Sequence, residues 1–313
     1  MNFGDGADAA ESARILGASL DAGINFVDCA DVYAGGESER ILGSALKSAS
    51  RRDEVILATK FHRPVRDTDP NARGSHRRHI QMQVEASLRN LQTDVIDLYQ
   101  MHRPQPEIPI DETLRALDDL VRAGKIRYIG TSTFAAWQIV ESLWVSKELG
   151  LNRTVCEQAP YNLLDRRIER ELLPMCRTYD IGVITWAPLA GGLLTGRYRA
   201  DTPRDADLRY ASRNAPLNRD HPGAFAVIEK VRSAAAQKGV SMVEFALAWS
   251  IHQPGVTSAI IGPRTTAQLE LNLSSLNVEW TPQDDHLADA CLSPGQHISD
   301  YYTADFGPNR RWC

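Results

Sequence analysis

Seven short apolar runs alternate with amphipathic stretches along the whole of this 313-residue chain, and that alternation limits the fold more than any other feature. The runs are INFVDC (24–29), VILATK (55–60), VIDLYQMH (95–102), IRYIGTS (126–132), TVCEQ (154–158), GVITWAPL (182–189) and TSAIIG (257–262). Each is short, nearly continuous in apolar residues and rich in β-branched side chains. That is how a strand covered on both faces reads, and such strands belong to parallel sheets flanked by helices. Between them the spacing predicts helices over 9–22 (stopped by Gly23), SERILGSALK from Ser38, HIQMQVEASLRNLQ and DETLRALDDLVRAG. Asp111 is the expected N-cap of the last of these and Gly124 its stop. Further helices are expected over AAWQIVESLWVSKELG, RRIERELLPMCRTYD, AFAVIEKVRSAAAQKG, MVEFALAWSIHQ and TTAQLELNLSSL, with a final one opened by Thr281-Pro282.

Strands recurring about every 30–40 residues favour a (β/α)8, or TIM, barrel. A doubly wound sheet is the rival, but its glycine-rich G-x-G-x-x-G fingerprint after a first strand is absent. The count stops at seven, and the chain opens on a helix. The expected fold is therefore a single barrel domain over 1–313, with a C-terminal tail at 292–313, that lacks an N-terminal hairpin and first barrel strand. Met1-Asn2-Phe3-Gly4 would be the last residues of that strand, pointing to an N-terminal truncation or a misplaced start.

Composition narrows the class. A net charge of −5 argues against a nucleic-acid partner, and no apolar stretch approaches the roughly 20 residues of a membrane span. The N-terminus is neither basic nor apolar enough for a signal peptide. The five cysteines lack metal-ligand spacing and read as reduced, mostly buried thiols of a cytoplasmic protein.

Asp28, Tyr33, Lys60 and His102 each stand at or just past the end of one of three successive runs. Parallel neighbours lie roughly 4.8 Å apart, so these side chains would share one mouth, where barrel enzymes place their chemistry. A carboxylate, a phenol, an ammonium and an imidazole form a proton-transfer set. A phenol of pKa about 10 needs a nearby cation to release its proton near neutrality, and Lys60 would lower it. Asp28 would hold Lys60 and balance its charge, while His102 could donate to a carbonyl oxygen and steady a developing alkoxide.

With these residues in place, the segments GINFVDCADVYAGGESERILG, LATKF, DVIDLYQMHRP, IGTSTF, EQAPYN, WAPLAGGLLTG and IIGPRTTAQLELNL together resemble the aldo-keto reductases, barrel enzymes that reduce carbonyls with a nicotinamide cofactor. The resemblance runs nearly end to end. It implies that Asp28, Tyr33, Lys60 and His102 match the family's catalytic tetrad and that the substrate is a small carbonyl compound.

It also implies a cofactor site. Ser132, Thr133 and Gln158 stand where the family binds the nicotinamide carboxamide, with Thr133 in place of the usual asparagine. Trp186 takes the place of the ring-stacking aromatic. Pro188, Leu189, Gly191 and Gly192 belong to a loop whose glycines would let backbone N–H groups approach a pyrophosphate. Gly262 and Arg264 enter the last barrel helix, where Arg264 would grip an adenosine 2′-phosphate and select NADPH over NADH. Gln268 and Asn272 match positions near the adenine, whereas Leu271 replaces a frequent glutamate.

His76 and His79 have metal-like spacing but no accompanying ligands, so a solvated helix entrance is expected instead. Tyr301, Tyr302, Phe306 and Trp312 in the tail would either line the pocket or staple the tail down. The competing expectation is a cofactor-binding regulatory protein, or an inactive truncated relative, because some members of this barrel family serve as channel-associated subunits.

Overall fold

The computed structural model describes residues 2–63, 69, 71–199 and 223–298. The chain forms two compact units, Met1–Glu157 with Gly262–Leu269, and Gln158–Ile261 with Glu270–Cys313.

The first unit carries strands β1 (Phe26–Asp28), β2 (Ile56–Phe61), β3 (Ile96–Met101), β4 (Ile126–Ser132) and the start of β5 (Thr154–Pro160), with helices α1 (Ala9–Asp21), α2 (Glu37–Ser48), α3 (Arg77–Leu91), α4 (Ile110–Arg122) and α5 (Ala136–Leu149) between them. β1, β2, β3 and β4 pair in parallel, and the register sets Lys60 opposite Gln100. All six residues of β3 and all but the first of β2 are buried, which is why these runs read as continuously apolar. β1, by contrast, is half-buried throughout.

Residues 2–7 fold into a turn closed on the Asn2 carbonyl, with a bridge between Phe3 and Ala7, where the sequence suggested the end of a strand. Two helix starts also differ from expectation. α2 begins at Glu37, so Ser38 lies inside it, and its hydroxyl donates to the Phe3 carbonyl. α4 is capped by Pro109, whose fixed φ suits a helix entrance, and Asp111 falls in the first turn, where its charge favours the helix dipole. Gly43 of α2 meets the end of α3 so closely that a Cβ there would lie 2.4 Å from the Leu91 carbonyl carbon.

The second unit contains the end of β5, α6 (Leu172–Tyr179), β6 (Gly182–Trp186), α7 (Ala224–Lys238), α8 (Met242–His252), β7 (Ser258–Ala259), most of α9 (Thr266–Leu273) and α10 (Pro282–Cys291). β6 and β7 pair in parallel, and β7 is far shorter than its apolar run suggested. The Tyr161 and Trp249 rings meet at a tilt of 34°, 4.6 Å between centroids, with Arg166 over the indole and ion-paired to Glu169 and Asp289.

Strand order follows chain order from β1 to β7, and helices alternate with strands throughout. This is the pattern of a (β/α)8 barrel short of one strand. The tail residues Tyr301, Tyr302, Phe306 and Trp312 lie outside the described residues.

Candidate active site

Three successive strands of the first unit bring the expected four residues together. Asp28 ends β1, Lys60 is the fifth residue of β2, His102 follows β3, and Tyr33 opens a 3-10 turn, Tyr33–Gly36, just beyond β1. The Lys60 side chain is fully buried, and its ammonium has three acceptors: Asp28 Oδ2 at 2.5 Å, the Cys29 carbonyl at 2.8 Å and the Tyr33 hydroxyl at 3.4 Å. An ammonium in so dry a place needs that compensation. Burial pulls the Lys60 pKa down, but the Asp28 and Tyr33 charges and the Asp28 hydrogen bond outweigh it and leave the group above its ordinary value. Lys60 is a firm cation.

Tyr33 differs from the sequence expectation in sign. Lys60 does draw its pKa down, yet burial is the larger effect, and the phenol stands above its usual value. Sequence names the cation but not the depth at which the phenol sits. The Tyr33 ring meets the His102 ring edge-on, with centroids 5.8 Å apart. Burial first, then Lys60, Arg103, Arg63 and His62, hold the His102 pKa well below the normal histidine range. His102 is therefore a neutral imidazole, and among the described residues its buried Nδ1 has no hydrogen-bond partner.

The sequence did not single out Gln100. It faces Lys60 in register, and its Nε2 donates to Asp28 Oδ1 at 3.1 Å, so each Asp28 oxygen receives a donor. A polar amide in a run as apolar as VIDLYQMH was the available signal.

At the end of β4, Ser132 and Thr133 are buried, their hydroxyls 3.3 Å apart, and Thr133 has φ +62°. A β-branched residue in the left-handed region is strained, a state that persists only where the surroundings enforce it. Two contacts brace this turn. Arg103 donates to the Thr133 hydroxyl, and buried Glu157 accepts from the Phe134 N–H at 3.1 Å. Burial, more than any other influence, pushes the Glu157 carboxyl up to about 8. Sequence reading missed both braces, although a glutamate inside the apolar run TVCEQ was a visible anomaly.

Arg264 precedes α9, its N–H bound by Gln268 Oε1 at 2.8 Å and its side chain packed on Gly6, where a Cβ would fall 2.8 Å from Nε. In the second unit, Gln158 and Asn272 are buried and Trp186 is half-buried. Pro188 and Leu189 lead into a 3-10 turn, Ala190–Thr195, in which Ala190, Gly191 and Gly192 have φ of 50°, 64° and 111°. The Ala190 and Gly192 N–H groups close this turn, donating to the Ala187 and Leu189 carbonyls at 2.8 Å each.

The His-x-x-His pair is a helix start: His76 Nδ1 caps α3 by accepting from the His79 N–H at 3.3 Å. His79 is buried rather than solvated, and its pKa falls to about 4, chiefly through that burial. Among the described residues, no three His, Cys, Asp or Glu side chains are grouped to hold a metal, and no helix is long and apolar enough to cross a membrane.

A protein-family model described as "Aldo/keto reductase family" matches residues 1–293. The chain is 38% identical to an uncharacterized oxidoreductase, YrpG, of Bacillus subtilis, over 89% of this chain and 86% of that protein. It is 35% identical to the aldo-keto reductase YhdN of the same organism, over 96% and 88%. It is also 37% identical to a probable voltage-gated potassium channel subunit beta of Oryza sativa, over 89% and 85%.

Proposed function

The chain belongs to the aldo/keto reductase family, and on that premise we propose that it reduces aldehydes or ketones to alcohols with NADPH. The observation that carries this reading is the buried Lys60 ammonium, held between the Asp28 carboxylate and the Tyr33 hydroxyl.

Tyr33 gives its proton to the carbonyl oxygen. A phenol that stays protonated at neutral pH is a competent donor only if its anion is stabilised as it forms, and Lys60 supplies that stabilisation. Asp28 keeps Lys60 in place and charged, and Gln100 fixes Asp28. His102, uncharged, orients the carbonyl by a neutral hydrogen bond and leaves the proton transfer to Tyr33.

In this reading the cofactor is a nicotinamide dinucleotide, and each unit brings residues whose own chemistry suits a part of it. Ser132, Thr133 and Gln158 offer polar atoms for a carboxamide, Trp186 a face for a flat ring, and Gly191 and Gly192 left-handed backbone for a pyrophosphate. Arg264, with Gly262 before it and Gln268 and Asn272 after it, would hold the adenosine end. When bound, the cofactor supplies the two electrons of the reduction as hydride.

A second reading has one specific support, the likeness to proteins named as potassium channel β subunits. In that reading the chain binds the cofactor and serves a partner, with slow or no turnover.

Steady-state oxidation of NADPH with a panel of aldehydes and ketones separates the two. Reduction by the native chain, and its loss in Tyr33→Phe with NADPH affinity retained, is the expected result. Near-native kcat in Tyr33→Phe would defeat the assigned chemistry, and NADPH binding with no turnover of any carbonyl would favour the regulatory reading.

A further inference from the structure

At the start of α9 the chain already holds an anion of its own. The Thr266 N–H donates to Glu11 Oε1 at 3.0 Å, and the Thr266 hydroxyl lies 3.3 Å from the same oxygen. A helix start carries unpaired N–H groups and partial positive charge, so a carboxylate is favoured there. Two more N–H groups of this turn are taken internally, that of Arg264 by Gln268 Oε1 at 2.8 Å and that of Gln268 by Thr265 Oγ1 at 3.2 Å.

Glu11 stands in the first turn of α1, and its other oxygen, Oε2, accepts from Arg14 Nε at 2.9 Å. The Arg14 hydrogen bond, ahead of those from Thr266, holds the Glu11 carboxyl below the usual carboxylate range, so it is charged at neutral pH. Arg264, two residues before Thr266, is half-buried along Gly6, and among the described residues its guanidinium has no acidic partner. The start of α9 thus brings together a carboxylate tied to Arg14 and a guanidinium left open.

We propose that Glu11 is a cofactor-selecting residue: its negative charge on the first turn of α9 opposes a 2′-phosphate brought to Arg264, and Arg14 limits that opposition. The inference rests on the cofactor reading above, in which Arg264 takes the 2′-phosphate. NADH has no charge at its 2′ position, so the Glu11 carboxylate acts on NADPH and leaves NADH alone. A capping role by itself would act on both cofactors alike, because it would only steady the start of α9. The preference for NADPH is then the difference between two side chains, Arg264 in favour and Glu11 against. Arg14 weakens the second by pairing with it on the same helix.

The test is fluorescence titration of NADPH and NADH into the native chain, Glu11→Gln and Arg14→Met. Glu11→Gln keeps an oxygen for the Thr266 N–H and loses only the charge. Its NADPH/NADH affinity ratio should rise about three- to tenfold at low salt. That gain should shrink between about 0.1 M and 1 M salt, as the screening length falls from about 10 Å to about 3 Å. Arg14→Met, which leaves the Glu11 charge uncompensated, should move the ratio the opposite way. NADH affinity should hold in both variants. An unchanged ratio in Glu11→Gln, or a parallel loss of both cofactors, overturns the proposal. Should Glu11→Gln not fold, the ratio in Arg14→Met decides: a fall supports the proposal, and no change overturns it. If the native chain binds neither NADPH nor NADH, the cofactor reading fails and takes this inference with it. If both bind and the ratio ignores Glu11, the inference alone fails.

Discussion

Lys60 and Gln100 face each other across β2 and β3, and both side chains converge on Asp28, one on each carboxylate oxygen. The carboxylate is thus clamped by a cation and an amide from two different strands. Removing the cation alone leaves a buried, uncompensated anion, so Lys60→Met should cost about 3–5 kcal/mol of stability in urea unfolding. Adding Asp28→Asn to that variant should recover much of the loss. A double variant no more stable than Lys60→Met would mean that lost packing, not stranded charge, sets the cost.

Glu157 should make stability depend on pH in a direction unusual for a carboxylate. Its pKa is raised to about 8 in the folded chain, chiefly by burial, so the native state binds more protons than the unfolded state between about 4.5 and 8. Its stabilising contribution is complete below that window and is lost as pH rises through 8. Glu157→Gln, which mimics the protonated form, should flatten the decline in melting temperature between about pH 5 and 8. An equally steep decline in the variant would remove Glu157 as its source.

Gly43→Ala tests the contact between α2 and α3. Its Cβ would overlap the Leu91 backbone, which has no flexible side chain to yield. Overpacking of this kind costs about 1–3 kcal/mol, readable as a lower urea midpoint at unchanged slope.

Arg264→Ala should shift the cofactor preference toward NADH. A hydrogen-bonded cation on a phosphate contributes about 1.5–3 kcal/mol, so the NADPH/NADH affinity ratio should fall by about tenfold or more in fluorescence titrations. An unchanged ratio would place the 2′-phosphate elsewhere.

Much of this was legible in the sequence because it depends on short-range order. The seven apolar runs became strands, and residues at the ends of three successive parallel strands had to meet, so Asp28, Lys60 and His102 could be found without coordinates. What stayed hidden depends on depth or on partners far apart in the chain. Burial, not the neighbouring cation, decides the direction of the Tyr33 shift. The Glu39 pairing with Thr59 and Asn90 spans 20 and 51 positions, and no local pattern marks it. At α4, Asp111 carried the usual capping chemistry, but Pro109 two residues earlier already fixed where the chain turns.

The Lys60 ammonium has three N–H bonds and three acceptors, Asp28, the Cys29 carbonyl and Tyr33. With every proton engaged and the cation favoured, the nitrogen has no lone pair to offer an electrophile. Reactive aldehydes condense readily with neutral lysine amines to form imines. Under the proposed reductase reading, an amine within reach of an aldehyde has to be kept chemically silent, and the contacts that hold Lys60 charged would protect it from imine formation.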